Sequence, residues 1–444
     1  MTPSESPSAV QRPSRAMLSG LTRATHRSLF YAMGVQKDQL DRPLVGVVNS
    51  YTDLVPGHVH LRGLSEAIKM GIAEAGGLPL EFPSIAVCDG LCTGLKGMRM
   101  PMISRGLIAD SIEVMAEAHG LDALVLLGTC DKIIPGMLMA AARLNLPALL
   151  VSGGPMDTGR FQGASACYTD LIEAEGLVAR GLLSAEELEA FEHTANPGPG
   201  ACAMMGTAVT MNILAEALGM TLPGNALIPA TFSARTALAR QAGHAVMDLL
   251  AADLRPRAIM TAAAFDNAIA VDMAVGGSTN STLHLPAIAH EAGLSLGWER
   301  FGQIAERTPH LVLLKPAGTH YARDLYDAGG VSAVMAELLA HGHLDAACRT
   351  VTRRTVGENI AGCTVADPEI IHPCAAPLHP VGGLAILAGT LAPEGAVVKS
   401  SAVAPEMMAH TGPARVFENE EAALEAILGG RIVPGDVVVI RYEG

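Results

Sequence analysis

Two short stretches carry residue types that bind metals and move protons. In GTCDKIIPGM, Cys130, Asp131 and Lys132 stand in succession, and in IAVCDG, Cys88 and Asp89 repeat the first two of them. A thiolate beside a carboxylate and an amine makes an inner shell for a metal. Asp is a hard-cation ligand, so Asp89 and Asp131 can share one Mg²⁺, an ion that takes few carboxylates and completes its shell with water and substrate oxygens. The plainer use of the same residues is structural: each Asp can cap the helix that follows it, and a free Cys is commonly a packing residue. Finding both Asp residues beside a Cys favours the metal reading.

Three further features join this set. Cys202 lies in the Gly-rich turn of ANPGPGAC, ahead of helical spacing over 207–218. A helix N-terminus favours thiolate over thiol, so Cys202 reads as a cluster ligand, with a small packing residue as the alternative. Gly276 and Gly277 precede Ser278, Thr279 and Asn280 and then a helix. Such donors at a helix start form a pocket for the carboxylate or phosphate of a small substrate, and they also serve as an ordinary cap. Asn49, Ser50, Asp53, His58 and His60 follow an apolar run; the two histidines read as positioning groups more than as ligands. Cys167, Cys348, Cys363 and Cys374 lack comparable settings and read as inert. Neither a GxGxxG fingerprint nor a GxxxxGK[ST] loop is present, which removes the main support for dinucleotide and P-loop readings.

These residues need elements to position them. Ala123 to Thr129 is an uncharged apolar run, as expected of a strand buried on both faces of a parallel sheet, and it delivers Cys130, Asp131 and Lys132 to its carboxyl end. Ile85, Ala86 and Val87 look like a second such strand, ending in Cys88 and Asp89. Further strands are expected at 44–48 and 146–154, alternating with helices at 16–34, 62–75, 104–119 and 136–144. That alternation predicts an α/β fold with a doubly wound, mainly parallel sheet, whose ligands sit at the carboxyl edge of the strands. Residues 155–192 read as a helical excursion in which SAEELEAF carries an N-cap and an acidic first turn. Near 350 the texture turns Pro-rich with short strands, so we expect a flexible tail over 1–15, an α/β domain over 16–350 and a mainly β domain over 351–444. The last of these stops directly after a strand, as an incomplete sheet or barrel would.

Composition narrows the class. A chain of 444 residues exceeds one hydrophobic core, and with 50% hydrophobic and 17% charged residues it suits a compact enzyme. Aromatics are only 3%, so Ala, Leu, Val, Ile and Met must build the core. A formal charge of -14 argues against a nucleic-acid partner. Eight dispersed cysteines lack the density of a disulfide scaffold and point to a reducing compartment. The polar, Pro/Ser-rich start is no signal peptide and no stretch is long and apolar enough to span a bilayer, so the expected location is the cytoplasm.

The motifs GTCDKIIPGM, VCDG, PGHVHL, GGSTN, LAPEGAVVK, GPARVF and GDVVVIRYEG together resemble the dihydroxy-acid and 6-phosphogluconate dehydratase family, from about residue 20 onwards. The resemblance implies an α/β domain followed by a β-barrel-like domain, usually in a homodimer. It implies an iron-sulfur cluster, 4Fe-4S or 2Fe-2S, held by Cys130 and Cys202, and Mg²⁺ held by Asp89, Asp131 and Lys132, the lysine being carbamylated in some members. Where some members place a third cluster cysteine this chain has Gly57, leaving Cys88 as a candidate, and Asn196 stands where many relatives have a cysteine. Family members continue past RYEG into a segment with a Mg²⁺-binding Glu and the serine taken as base. The chain stops at Gly444, so the resemblance assigns no catalytic base here. The implied activity is a hydro-lyase turning a 2,3-dihydroxy acid into a 2-keto acid in valine and isoleucine synthesis. A sugar-acid dehydratase and a truncated, non-catalytic paralogue are the alternatives.

Overall fold

A computed structural model describes residues 12–443. They fall into two compact units that divide between Ser401 and Ala402. The first unit is built on a four-stranded parallel sheet of β1 (Leu44–Asn49), β2 (Leu78–Pro83), β3 (Ala123–Gly128) and β4 (Ala148–Ser152), in the order β2-β1-β3-β4. Every residue of β1, β3 and β4 is buried, as an uncharged strand covered on both faces must be. In register, Val45 lies opposite Ala123 and Val48 opposite Leu126. The chain runs outward one way from β1 to β2 and the other way from β3 to β4. The direction therefore switches between β1 and β3, and there the carboxyl ends of the strands open a crevice.

Helices cover both faces. Helix α1 (Leu61–Glu74) buries Leu61, Leu64, Ile68 and Ile72, a helical stripe. Helices α2 (Pro101–Ala118) and α3 (Ile133–Leu144) follow β2 and β3, and α4 (Thr207–Ala217) and α5 (Ser233–Ala251) come later. Helix α5 packs on α1 at close range, because a Cβ on Gly71 would stand 2.0 Å from the Arg240 carbonyl oxygen and one on Gly243 would stand 2.3 Å from that of Ile68. Helix α3 is buried along nearly its whole length, flanked by α2 and by α7 (Ser281–Glu291), which follows α6 (Ala262–Val275). Arg143 at its end joins these neighbours through Asp110, Glu113 and Glu291 at 2.7–2.8 Å.

Several sequence expectations change. The stretch 85–87 is not a strand: β2 ends at Pro83, its last bond to β1 running from the Ser84 N–H to the carbonyl of Asn49, where β1 itself ends, and Cys88 stands in the following loop as the N-cap residue of the one-turn helix Asp89–Cys92. The helix expected over 16–34 is broken at Gly20 (φ 90°) into Pro13–Leu18 and Ala24–Ala32, with a 3₁₀ turn between. The proposed tail over 1–15 lies mostly outside the described residues. Its last residues are helical, and there the Ser14 N–H and hydroxyl donate to buried Asp122. Residues 155–192 contain, besides two helices, a hairpin of Gly159–Phe161 with Ala164–Ala166. Beyond 350 the first unit adds only the helix Val356–Ile360 and the hairpin of Ala385–Leu387 with Ala396–Val398. The second unit is a parallel pair, Ala414–Phe417 with Val437–Ile440, connected through the helix Glu420–Leu428. The described residues of 351–443 thus form separate two-stranded sheets and no closed barrel. Among the described residues no helix is long and apolar enough to cross a membrane.

Candidate active site at the carboxyl edge of the sheet

The loop leaving β3 places the first thiol. Cys130 adopts φ 70°, a left-handed conformation that costs a non-glycine residue ~1–3 kcal/mol and persists only where the surroundings over-determine it. Those surroundings come from the β1 loop. His58 is fully buried, with Nδ1 2.8 Å from the Ser50 carbonyl oxygen and Nε2 3.1 Å from that of Thr129, so it braces the β1 exit against the β3 exit. Burial pushes its pKa down to about 4. His60 reaches the Gly153 carbonyl oxygen at 2.8 Å. Both histidines position loops, as the sequence suggested. Just before them, Gly57 leaves room for the thiol: a Cβ there would stand 2.7 Å from Cys130 Sγ.

The other thiols arrive on separate segments. Ala201 pairs with Pro155 beyond β4, and the Gly200 N–H donates to the Pro56 carbonyl at 3.1 Å, which sets Cys202 beside the β1 loop. Burial raises the Cys130 thiol well above its ordinary range, helped by the charges of Cys202, Asp131 and Cys88. The Cys202 thiol is pushed up to about 12 by burial and then by Asp131 and Cys88. These influences add to the position of Cys202 ahead of the N-terminus of α4. Cys88 is raised by burial and by Asp89 and Asp131. These mutual influences show that Cys88, Cys130 and Cys202 face one region, although their sulfurs do not converge within 4.8 Å as ligands of a single ion would.

Beside the thiols stand Asp89, Asp131 and Lys132. The Lys132 ammonium pairs with Asp89 and lies 3.7 Å from Asp131 Oδ2. Burial, and next the charge of Asp89, push the Asp131 carboxyl up to about 6, against the pull of Lys132 and the Thr207 hydroxyl. Oδ1 of Asp89 is buried without a hydrogen-bond partner. Two crowded carboxylates with one ammonium between them and one orphaned oxygen fit a divalent cation.

The GGSTN loop closes the other side. Ser278 Oγ lies 2.8 Å from Thr207 Oγ1, to which the Asn280 amide also donates at 2.9 Å, and the Ser278 N–H donates to Thr210. Ser278, Thr279 and Asn280 are half-buried and sit against the first residue of α4, next to Asp131. All eight singled-out residues other than Thr279, with Cys88 added, are tied to this region by a named contact or charge; Thr279 shares the loop and uses its carbonyl to cap Thr282.

Sequence reasoning missed three neighbours. His284 on α7 is buried, with its pKa pushed down to about 3 by burial and by Arg105 and Lys132, and Arg105 bonds its Nδ1 at 3.0 Å. Lys399 donates to the Met205 carbonyl at 3.2 Å, its pKa lowered to about 8 by burial. Asp272 beneath Gly277 is fully buried, both its oxygens lack partners, and burial pushes it up to about 7. Lys399 and Asp272 are ionisable residues inside apolar stretches, which was the available signal for those two.

Comparison with known proteins agrees with this geometry. Residues 42–359 match the model of the dihydroxy-acid/6-phosphogluconate dehydratase N-terminal region, and residues 369–444 match that of the C-terminal region. The chain is 57% identical over 431 residues to the dihydroxy-acid dehydratase of Moorella thermoacetica, covering 97% of this chain and 78% of that protein. It is 54% identical over 432 residues to that of Carboxydothermus hydrogenoformans and 53% identical over 433 residues to that of Oleidesulfovibrio alaskensis, with the same shares covered. The chain therefore belongs to the dihydroxy-acid/6-phosphogluconate dehydratase family.

Proposed function

We propose that this protein is a hydro-lyase that removes water from a 2,3-dihydroxy carboxylic acid to give a 2-keto acid, with a branched-chain amino-acid precursor as substrate. The single observation that carries the reading is the meeting of three thiols, two carboxylates and Lys132 at the switch point between β1 and β3. Relatives at 53–57% identity bear the name dihydroxy-acid dehydratase, which places the sugar-acid alternative second.

In this proposal Cys130 and Cys202 hold an iron-sulfur cluster with Cys88 as the third thiolate, and Asp89, Asp131 and Lys132 hold Mg²⁺. Bound there, the two groups supply Lewis acidity toward a hydroxyl leaving group and toward the carboxylate and C2 oxygen of the substrate. The chain's own part is arrangement. His58 and Gly57 fix Cys130, Thr207 links Asp131 to the GGSTN loop, and Ser278, Thr279 and Asn280 orient the acid group of the substrate. The buried setting strengthens each of these interactions by excluding water. No residue of this chain is assigned as base. The homodimer and the cytoplasmic location belong to the same proposal and rest on family likeness.

The test is anaerobic purification with iron and sulfide restored, followed by assay of keto-acid formation from 2,3-dihydroxyisovalerate and from 6-phosphogluconate. We expect cluster absorbance and turnover of the former. Turnover of 6-phosphogluconate alone would move the assignment to sugar acids, and a chain that takes up no cluster would sink the roles of Cys130 and Cys202.

A further inference from the structure

A second group of ligand-type side chains, sharing no residue with the first, converges elsewhere in the first unit. Helix α8 (Gly330–Ala340) carries Glu337 in its last turn, and His341 follows as its C-cap residue. The two are four residues apart and so share one helix face. Cys374 approaches them from the segment after Ile371: its N–H donates to Glu337 Oε1 at 2.7 Å, and its sulfur lies 3.8 Å from the Glu337 carbonyl oxygen. His341 Nδ1 lies 3.0 Å from that same carbonyl, which orients the ring. One carboxylate oxygen, one ring nitrogen and the sulfur all lie within 4.8 Å of one another, the one group of three or more such side chains to do so among the described residues.

We propose that Glu337, His341 and Cys374 form a binding site for a transition-metal dication of the zinc type, separate from the catalytic edge of the sheet. One imidazole, one thiolate and one carboxylate are three of the donors that Zn²⁺ takes, and three protein ligands with water in the fourth position complete a tetrahedron. Sulfur and nitrogen donors exclude Mg²⁺ and Ca²⁺, which need oxygen ligands. The two anionic donors would neutralise the dication, and a coordinating thiol loses its proton outright. Access is open, since His341 is 44% exposed while Glu337 is only 20% exposed. The metal would fasten the end of α8 to the segment that His310 holds through the Leu378 N–H and the His379 carbonyl, both at 3.0 Å. Without metal, the same residues would be an ordinary helix end with a histidine on its carbonyls.

The experiment is Zn²⁺ binding to the full chain, measured by competition with a colorimetric chelator, for the parent and for Cys374→Ser, His341→Ala and Cys130→Ser. We expect a tight Zn²⁺ equivalent that excess Mg²⁺ does not displace, that Cys374→Ser abolishes, that His341→Ala weakens by at least about tenfold, and that Cys130→Ser leaves in place. The thermal midpoint of the parent should rise with Zn²⁺ and that of His341→Ala should not. His341 is exposed, so its loss cannot be ascribed to failed folding. A parent that binds no such equivalent, or a Zn²⁺ equivalent that survives both Cys374→Ser and His341→Ala, would overturn the site.

Discussion

At the scale of single residues, the site depends on Gly57 and on Asp131. Gly57 lacks a side chain where a Cβ would stand 2.7 Å from Cys130 Sγ and 3.2 Å from Thr129 Cγ2. Gly57→Ala must displace a thiol already held in a left-handed backbone, and overpacking of this kind costs ~1–3 kcal/mol. We expect that variant to lose most of its iron while remaining folded. Gly63→Ala is the control: no atom lies within 4 Å of its Cβ position inside α1, so that change should be neutral or stabilising by ~1 kcal/mol. Equal iron content in parent and Gly57→Ala would refute the packing argument. Asp131 sets a pH dependence. Its carboxyl is pushed up to about 6; if Asp131 holds Mg²⁺ as proposed, only the ionised form would bind it, so one proton must leave on binding below that pH. Apparent Mg²⁺ affinity should therefore fall about tenfold per pH unit below 6 and level off above it, as calorimetric titration across pH 5–8 would show.

At the scale of elements, the buried strands were legible because an uncharged apolar run has few other uses. Val125 to Leu127 announce β3, and the residues just past it carry the proposed chemistry. What was not legible follows from contacts distant in sequence. The Ile85–Val87 run looks like a strand locally, but β2 pairs with β1 only as far as Pro83. The setting of Cys202 is a tertiary fact, because the carboxylate of Asp131 that helps raise its thiol lies on another segment. His58 shows the same limit: its type suggested positioning, yet only the fold reveals that it spans Ser50 and Thr129. His58→Ala removes a neutral ring whose single N–H serves one of the two facing carbonyls, Ser50 or Thr129, at ~1–3 kcal/mol, so we expect a lower thermal midpoint and a loosened Cys130. The effect has a sign in pH. With a folded pKa of about 4 against an ordinary 6.5, the neutral ring contributes stability that is lost as pH falls from 6.5 towards 4. The gap between parent and variant should narrow over that window by up to ~1.4 kcal/mol per pH unit. A gap that is constant with pH would show that His58 does not act through its neutral form.

At the scale of the whole molecule, stability is unevenly shared between the two units. The first is organised on β1, β3 and β4, whose side chains are all buried, and each such aliphatic side chain contributes ~1.5–3 kcal/mol. Opening those strands means dismantling the core. The second unit, beginning at Ala402, buries only Ala423 and Ala426 of its hydrophobic residues among those described, while Val416, Leu424, Ile427, Leu428 and Val433 are exposed. Its sheet has two strands, fewer than the three or more that independent stability requires, and a unit of ~40 residues sits at the lower limit for a self-sufficient core. Amide exchange reads this difference directly, because each amide reports the free energy of the smallest opening that exposes it. In a native-state exchange experiment followed by mass spectrometry, amides of Ala414–Phe417 and Val437–Ile440 should exchange at least about a hundredfold faster than those of Leu44–Asn49 and Ala123–Gly128, a difference of ~2.8 kcal/mol or more. Equal protection in both units would mean that the carboxyl-terminal strands open only with the core. Stabilisation of that unit would then have to come from burial that its own side chains do not provide.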